Sequence, residues 1–225
     1  MISYLFFIVM FIFIFATIYS YLYEYIYLLI LFKTFSSLSF VLYALYNFKV
    51  YHNNNDSFFK DILTGLFLAF FGDIFITLSD NYTFLFLAIL CFFICHLFFI
   101  KGFIKKSPFS SEDIYIFLLI YIPFLTFILL NHNFNFNNVF PLILLYSTIV
   151  ILMLSKSFSL LKVKSKHKLP IYLIIISSVM FSLSDFILMF VIFYNKTYIL
   201  LKLLNILIYY IGQGILALSI STNFN

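Results

Sequence analysis

Eight long apolar runs, separated by short polar breaks, take up almost the whole of this chain. They fall near 2–22, 26–47, 61–79, 83–103, 114–131, 139–160, 169–194 and 198–221. A bilayer's hydrocarbon core is about 30 Å thick and needs about 20 residues of helix to cross. The breaks are His52-Asn53-Asn54-Asn55-Asp56, Asp80-Asn81, Lys105-Lys106-Ser107-Pro108 and the stretches 131–138 and 162–168; Glu24 alone marks the first boundary. The runs are continuous and do not alternate, which predicts helices and not barrel strands. Of 225 residues, 65% are hydrophobic and 9% charged, where a soluble domain has about a quarter charged. A soluble fold of this size has too little interior for so much apolar surface. The expectation is an all-α polytopic transmembrane bundle of about eight helices, forming one integral membrane domain over 1–225. Residues 1–22 carry neither a basic leader nor a small-residue cleavage site, so they read as the first span.

All thirteen basic residues are lysines. Lys49, Lys60, Lys101, Lys105, Lys106, Lys156, Lys162, Lys164, Lys166 and Lys168 lie in or beside connections 2–3, 4–5 and 6–7. The opposite connections hold little beyond Lys196 and Lys202. The positive-inside rule then places both termini in the cytoplasm. The net charge of +5 is topological, and no nucleic-acid partner is implied. Asn81-Tyr82-Thr83 and Asn195-Lys196-Thr197 match the glycosylation pattern on the far side. Asn55-Asp56-Ser57 matches it on the near side, so in an Asn-rich chain the pattern carries little. Cys91 and Cys95 share a helix face. They read as small buried hydrophobes and not as a disulfide or metal pair.

The residues that break the apolar pattern are the informative ones. A charge at mid-membrane costs on the order of 3 kcal/mol. Asp73 lies in span three, His96 in span four, Asp185 in span seven and Gln213 in span eight. As structural pairs, Asp73–His96 and Asp185–Gln213 would each return only about 0.6–2 kcal/mol. A carboxyl carried into the bilayer in protonated form avoids most of the cost and is a potential proton donor. Lys33, near the start of span two, has the reach to snorkel to an interface. Asp73 and Asp185 stand 112 positions apart, half the chain length, in the similar runs Gly72-Asp73-Ile74-Phe75-Ile76 and Ser184-Asp185-Phe186-Ile187-Leu188. This suggests two four-helix halves in parallel, with both carboxyls facing one central cavity.

At these residues the chain resembles the YhhN-like family, the lysoplasmalogenases. The resemblance rests on Gly72-Asp73, the Phe-x-x-x-His run ending at His96, Phe181-x-x-Ser184-Asp185 and Tyr209-Tyr210-x-x-Gln213, in consistent order over roughly 28–220. Tyr146 and Lys33 fall where that family tends to have a Tyr and a Lys-Pro, with Thr34 here in place of the Pro. The resemblance implies an eight-helix hydrolase cleaving the vinyl ether of lysoplasmalogens to a fatty aldehyde and glycerophosphocholine or glycerophosphoethanolamine, with a lysophospholipid as partner in the bilayer. Such hydrolysis is acid-catalysed and needs one protonated carboxyl and one group that activates water. Asp73 and Asp185 are the expected catalytic pair. His96, Tyr209, Gln213, Lys33 and Tyr146 are the expected substrate-binding residues. The chemistry calls for no metal or cofactor, and neither a Gly-x-Ser-x-Gly elbow nor a His-Glu-x-x-His motif occurs.

Two other classes fit the same residues. Mid-membrane Asp and His residues and a parallel repeat also suit a proton-coupled carrier, although five glycines and four prolines leave few places for the broken helices carriers use. A non-catalytic lipid-binding protein, with both carboxyls in structural pairs, is the third.

Overall fold

The computed structural model describes residues 2–52, 56–79, 81–195 and 198–222. Each apolar run folds into one helix. They are α1 (Ile2–Leu22), α2 (Ile26–Tyr51), α3 (Ser57–Thr77), α4 (Tyr82–Lys106), α5 (Ser111–Leu130), α6 (Phe140–Ser159), α7 (Leu169–Phe193) and α8 (Ile199–Ser219). Seven are long and apolar enough to cross a membrane. The eighth, α3, has the same length but carries Lys60, Asp61 and Asp73 along it.

The polar breaks become helix caps, because the first turn of a helix leaves backbone N–H groups that need acceptors. Asp56 accepts from the Phe58 and Phe59 amides at 3.2 and 3.4 Å. Asn81 accepts from the Thr83 amide at 2.9 Å, so this Asn of a glycosylation pattern starts α4. Of the other two patterns, Asn55, Lys196 and Thr197 lie outside the described residues, as do Asn53, Asn54 and Asp80. The α1–α2 boundary turns at Glu24, whose φ of 59° is left-handed. Pro141 and Pro170 sit in the first turns of α6 and α7, where proline's missing N–H costs nothing.

Packing repeats after four helices. The tightest contacts are the α3–α4 and α7–α8 hairpins; α2 packs on α8 and, correspondingly, α6 on α4. The two outermost helices, α1 and α5, also correspond, and α5 buries only Asp113 and Ile128. Leu119, Tyr115, Ile114 and Ile122 of α5 face outward, as expected where lipid is the solvent. The hairpins close on glycine. A Cβ at Gly72 would stand 2.8 Å from the Phe92 ring, and one at Gly65 would clash with Phe99. Small residues let membrane helices approach closely enough for such packing.

One lysine beside a connection is buried in the bundle. Lys156, in the last turn of α6 next to the connection to α7, is fully buried and pairs with the buried Asp113 of α5 at 2.9 Å. Its ammonium also donates to the Pro108 carbonyl at 2.9 Å. Asp113 further accepts from the Ser110 amide at 2.7 Å and from the Ser159 hydroxyl. The reason is the acid cluster Glu112-Asp113 at the start of α5, which faces the last turn of α6 across a short gap.

Removing one partner of a buried pair strands the other charge. Asp113→Ala is expected to lower stability by about 3–5 kcal/mol, read as loss of thermal stability in detergent. The double change Asp113→Leu with Lys156→Leu should recover most of it; equal instability of single and double variants would mean the pair does not hold α5.

Candidate active site

Asp73 and Asp185 each sit at the meeting of three helices. Asp73, one turn from the end of α3, accepts on Oδ2 from Ser37 Oγ of α2 at 2.6 Å and from Tyr209 OH of α8 at 2.9 Å. Tyr210 OH lies 3.2 Å from both Ser37 Oγ and the Lys33 carbonyl. Asp185 of α7 accepts on Oδ2 from Tyr146 OH of α6 at 2.8 Å, with His96 Nε2 of α4 at 3.3 Å. Tyr146 OH and His96 Nε2 are themselves 3.3 Å apart.

These two sets repeat like the helices that carry them. Asp73 takes one partner from α2 and one from α8. Asp185 takes one from α6 and one from α4, which are the corresponding helices. Each carboxyl is therefore served by a helix of the other half, so neither half holds its own acid alone. Tyr209 and His96 take corresponding places in this pattern, each reaching the acid carried by the other half of the chain.

The expected partners are different. His96 meets Asp185 and not Asp73, and Asp185 has no contact with Gln213 among the hydrogen bonds of the described residues. Hairpin register explains both. Gly72 opposes Phe92 and Gly65 opposes Phe99, which puts Asp73 level with Cys91 and leaves His96 more than a turn deeper. In the other hairpin Gly212 opposes Met180, and Asn205 donates to the Ser184 carbonyl at 2.7 Å. Asp185 is thus level with Asn205, and Gln213 lies about two turns further along α8. Gln213 is fully buried, lines neither cavity described below, and has no hydrogen-bond partner on either side-chain atom.

Between the carboxyls is a small polar chamber of about 20 Å³, bordered by Lys33, Asp73, Ser184, Asp185, Asn205, Tyr209 and Tyr210 among others. The Oδ1 atoms of Asp73 and Asp185 take no hydrogen bond from described residues, which leaves one oxygen of each free. The Lys33 ammonium likewise has no hydrogen bond or ion pair, although it interacts electrostatically with Asp73. A second, largely apolar cavity of about 480 Å³ lies behind Asp185 and Tyr146, which both line it. Six of the seven expected site residues therefore converge. Asn205 and Tyr210 also border the chamber, and Ser37 binds Asp73 without bordering it; none of the three was among the expected site residues. Asn205 carries a signal, an amide inside the run Leu203-Leu204-Asn205-Ile206; Ser37, one of several serines on α2, does not.

Both cysteines are free thiols on α4, Cys95 buried and Cys91 half-buried. No helix is interrupted at the level of the chamber among the described residues; Pro123, inside α5, lies on the wall of the apolar cavity.

The model of the YhhN family matches residues 28–220. The chain belongs to this family. No curated protein and no solved structure matches it. The YhhN match takes in every residue of the chamber, and it begins after α1, the outermost helix of the first half.

Hydroxyl-to-carboxylate bonds between membrane helices contribute on the order of 1 kcal/mol each. Tyr209→Phe and Tyr146→Phe are each expected to lower stability by about that amount, whereas Gly72→Ala, which must push Phe92 off α3, should lower it by more. Denaturation in mixed micelles checks this; a neutral Gly72→Ala would show that the α3–α4 contact has slack.

Proposed function

We propose that this YhhN-family chain is a lysoplasmalogenase, hydrolysing the vinyl ether bond of lysoplasmalogens inside the bilayer. The observation that carries the reading is the pair of buried carboxyls facing one chamber, each held by two polar partners at Oδ2 and without a hydrogen bond from described residues on Oδ1. Keeping two such groups in an apolar bundle costs several kcal/mol, more than their interhelical bonds return, which favours a chemical role.

The chemistry uses both groups and returns them unchanged. A protonated carboxyl gives its proton to the vinyl carbon that carries the chain, and the double-bond electrons form the new C–H bond. The positive charge then rests on the carbon bearing the ether oxygen. Water adds to that carbon and gives up a proton to the second, ionised carboxyl, leaving a neutral hemiacetal. The hemiacetal hydroxyl returns its proton to the first carboxylate as the C–O bond to glycerol breaks. The second carboxyl protonates the departing glycerol oxygen. Fatty aldehyde and the glycerophospho-alcohol leave, one water is consumed, and both acids are reset.

Tyr146 and His96 hold the Asp185 carboxyl in place, and Ser37 and Tyr209 hold that of Asp73. Lys33, without a hydrogen-bonded partner among the described residues, suits the phosphate of the head group. The chamber lies toward the lysine-poor side of the bundle. With both termini in the cytoplasm, it opens nearer the opposite face. The continuous helices give a carrier no unwound segment at the site to bind solute.

Detergent-purified protein is expected to release fatty aldehyde from lysoplasmalogen, and in heavy water the aldehyde should carry one deuterium at carbon 2. Asp73→Asn and Asp185→Asn should each cut the rate at least about 10²–10⁴-fold while the protein stays folded. Either variant running at a near-normal rate would remove that residue from the mechanism. No aldehyde from folded wild type would dismiss the hydrolase in favour of lipid binding alone.

A further inference from the structure

The outer helices of the two halves of the chain pack differently. In the first half the outer helix α1 closes against both α2 and α8, with Met10 seated over Gly214. The corresponding helix α5 packs on α6 but makes no comparable contact with α4. The 480 Å³ cavity fills the space this leaves, walled by α4, α5, α6 and α7. Its lining is apolar apart from Asp185, Tyr146 and two serines, Ser147 and Ser182.

Its shape is that of a slot. Along α7 it runs from Val179 to Phe193, about 20 Å at helical rise. A volume of about 480 Å³ spread along that length is an elongated apolar space that takes a long hydrocarbon chain. It is also open sideways. α5 and α7 touch through Phe124 and Phe127 against Phe186 and Phe190, while Val179 and Leu183, which line the cavity, are themselves 40% and 46% exposed. Exposed residues on its own wall leave the slot unsealed on that side.

We propose that this cavity is a binding site for the single hydrocarbon chain of a lysolipid, entered laterally from the bilayer between α5 and α7. The proposal rests on the hydrolase reading for its substrate but not for its test. Asp185 and its neighbours Ile76, Phe92 and Leu188 border both the slot and the polar chamber. A chain in the slot therefore sets the lipid's direction: hydrocarbon behind Asp185, head group toward Lys33 and Asn205. The vinyl carbon that carries the chain then lies against Asp185, which makes Asp185 the proton donor and leaves Asp73 on the head-group side with the water. The slot is given to one chain, so the second chain of a phospholipid has no place assigned in this arrangement.

The test uses a saturated 1-alkyl lysophospholipid, which has no vinyl bond to cleave, bound to the detergent-purified protein and followed by native mass spectrometry. Wild type should bind one long-chain lipid (about 16 carbons) at least about ten-fold more tightly than a short-chain one (about 10 carbons), since each buried methylene adds to affinity. Val150→Phe, which fills the slot, should erase that preference. Leu183→Trp, a change on the lipid-facing surface that leaves the core intact, should slow long-chain binding by narrowing the mouth. Unchanged long-chain preference in both folded variants, or equal binding of a two-chain phospholipid, would overturn the proposal. If the preference and its loss are seen but no aldehyde ever forms from lysoplasmalogen, the hydrolase reading fails and the chain site stands. If aldehyde forms but Val150→Phe leaves chain preference untouched, the reverse holds.

Discussion

The cost of holding a carboxyl in an apolar bundle governs how this protein is put together. Asp73 and Asp185 cannot be left bare at that depth, and in this fold each finds a polar partner on both sides. The partners come from separate helices: Ser37 and Tyr209 for one acid, Tyr146 and His96 for the other. Because Tyr209 belongs to the second half and His96 to the first, satisfying the acids requires the halves to dock. The contacts of α2 with α8 and of α4 with α6 are the packing form of the same requirement.

The glycines set the depth at which this happens. Gly72 lets the Phe92 ring lie flat on α3, and Phe92 stands edge-on to Tyr209 with ring centroids 6.2 Å apart. The residue next to Asp73 thus helps to place one of the hydroxyls that Asp73 binds. Local sequence, hairpin register and site geometry are linked here through one missing Cβ. At the membrane boundary the Asp113–Lys156 pair performs a different task. It pins the start of α5 to the end of α6, so that α5 stays attached while standing clear of α4. The same helix can then wall a cavity and leave its side open to lipid.

Much of the architecture was legible in the chain. The eight runs mark the eight helices to within a few residues, because a bilayer leaves a segment only the choice of being long and apolar or not crossing. The polar residues inside the runs were equally visible, since each stands against a cost of a few kcal/mol. Asn205 was as visible as Gln213 by that measure and belongs to the chamber where Gln213 does not. Ser37 gives no sign of itself, because a serine in a helix satisfies its own hydroxyl on the preceding turn and costs little wherever it faces.

What the sequence determined by itself is the set of apolar runs that become helices and the residues too polar to be there by accident. These follow from composition and position along one strand of chain. Which of the polar residues touch was decided only by the tertiary structure. Partners are chosen by helix register and by which helix lies across the bundle, and a shift of one turn, about 5 Å, exchanges one partner for another. That is why His96 serves Asp185 and not the nearer-in-sequence Asp73. The slot beside Asp185 has the same origin: it exists because α5 stops short of α4, and no residue along the chain announces a space between helices.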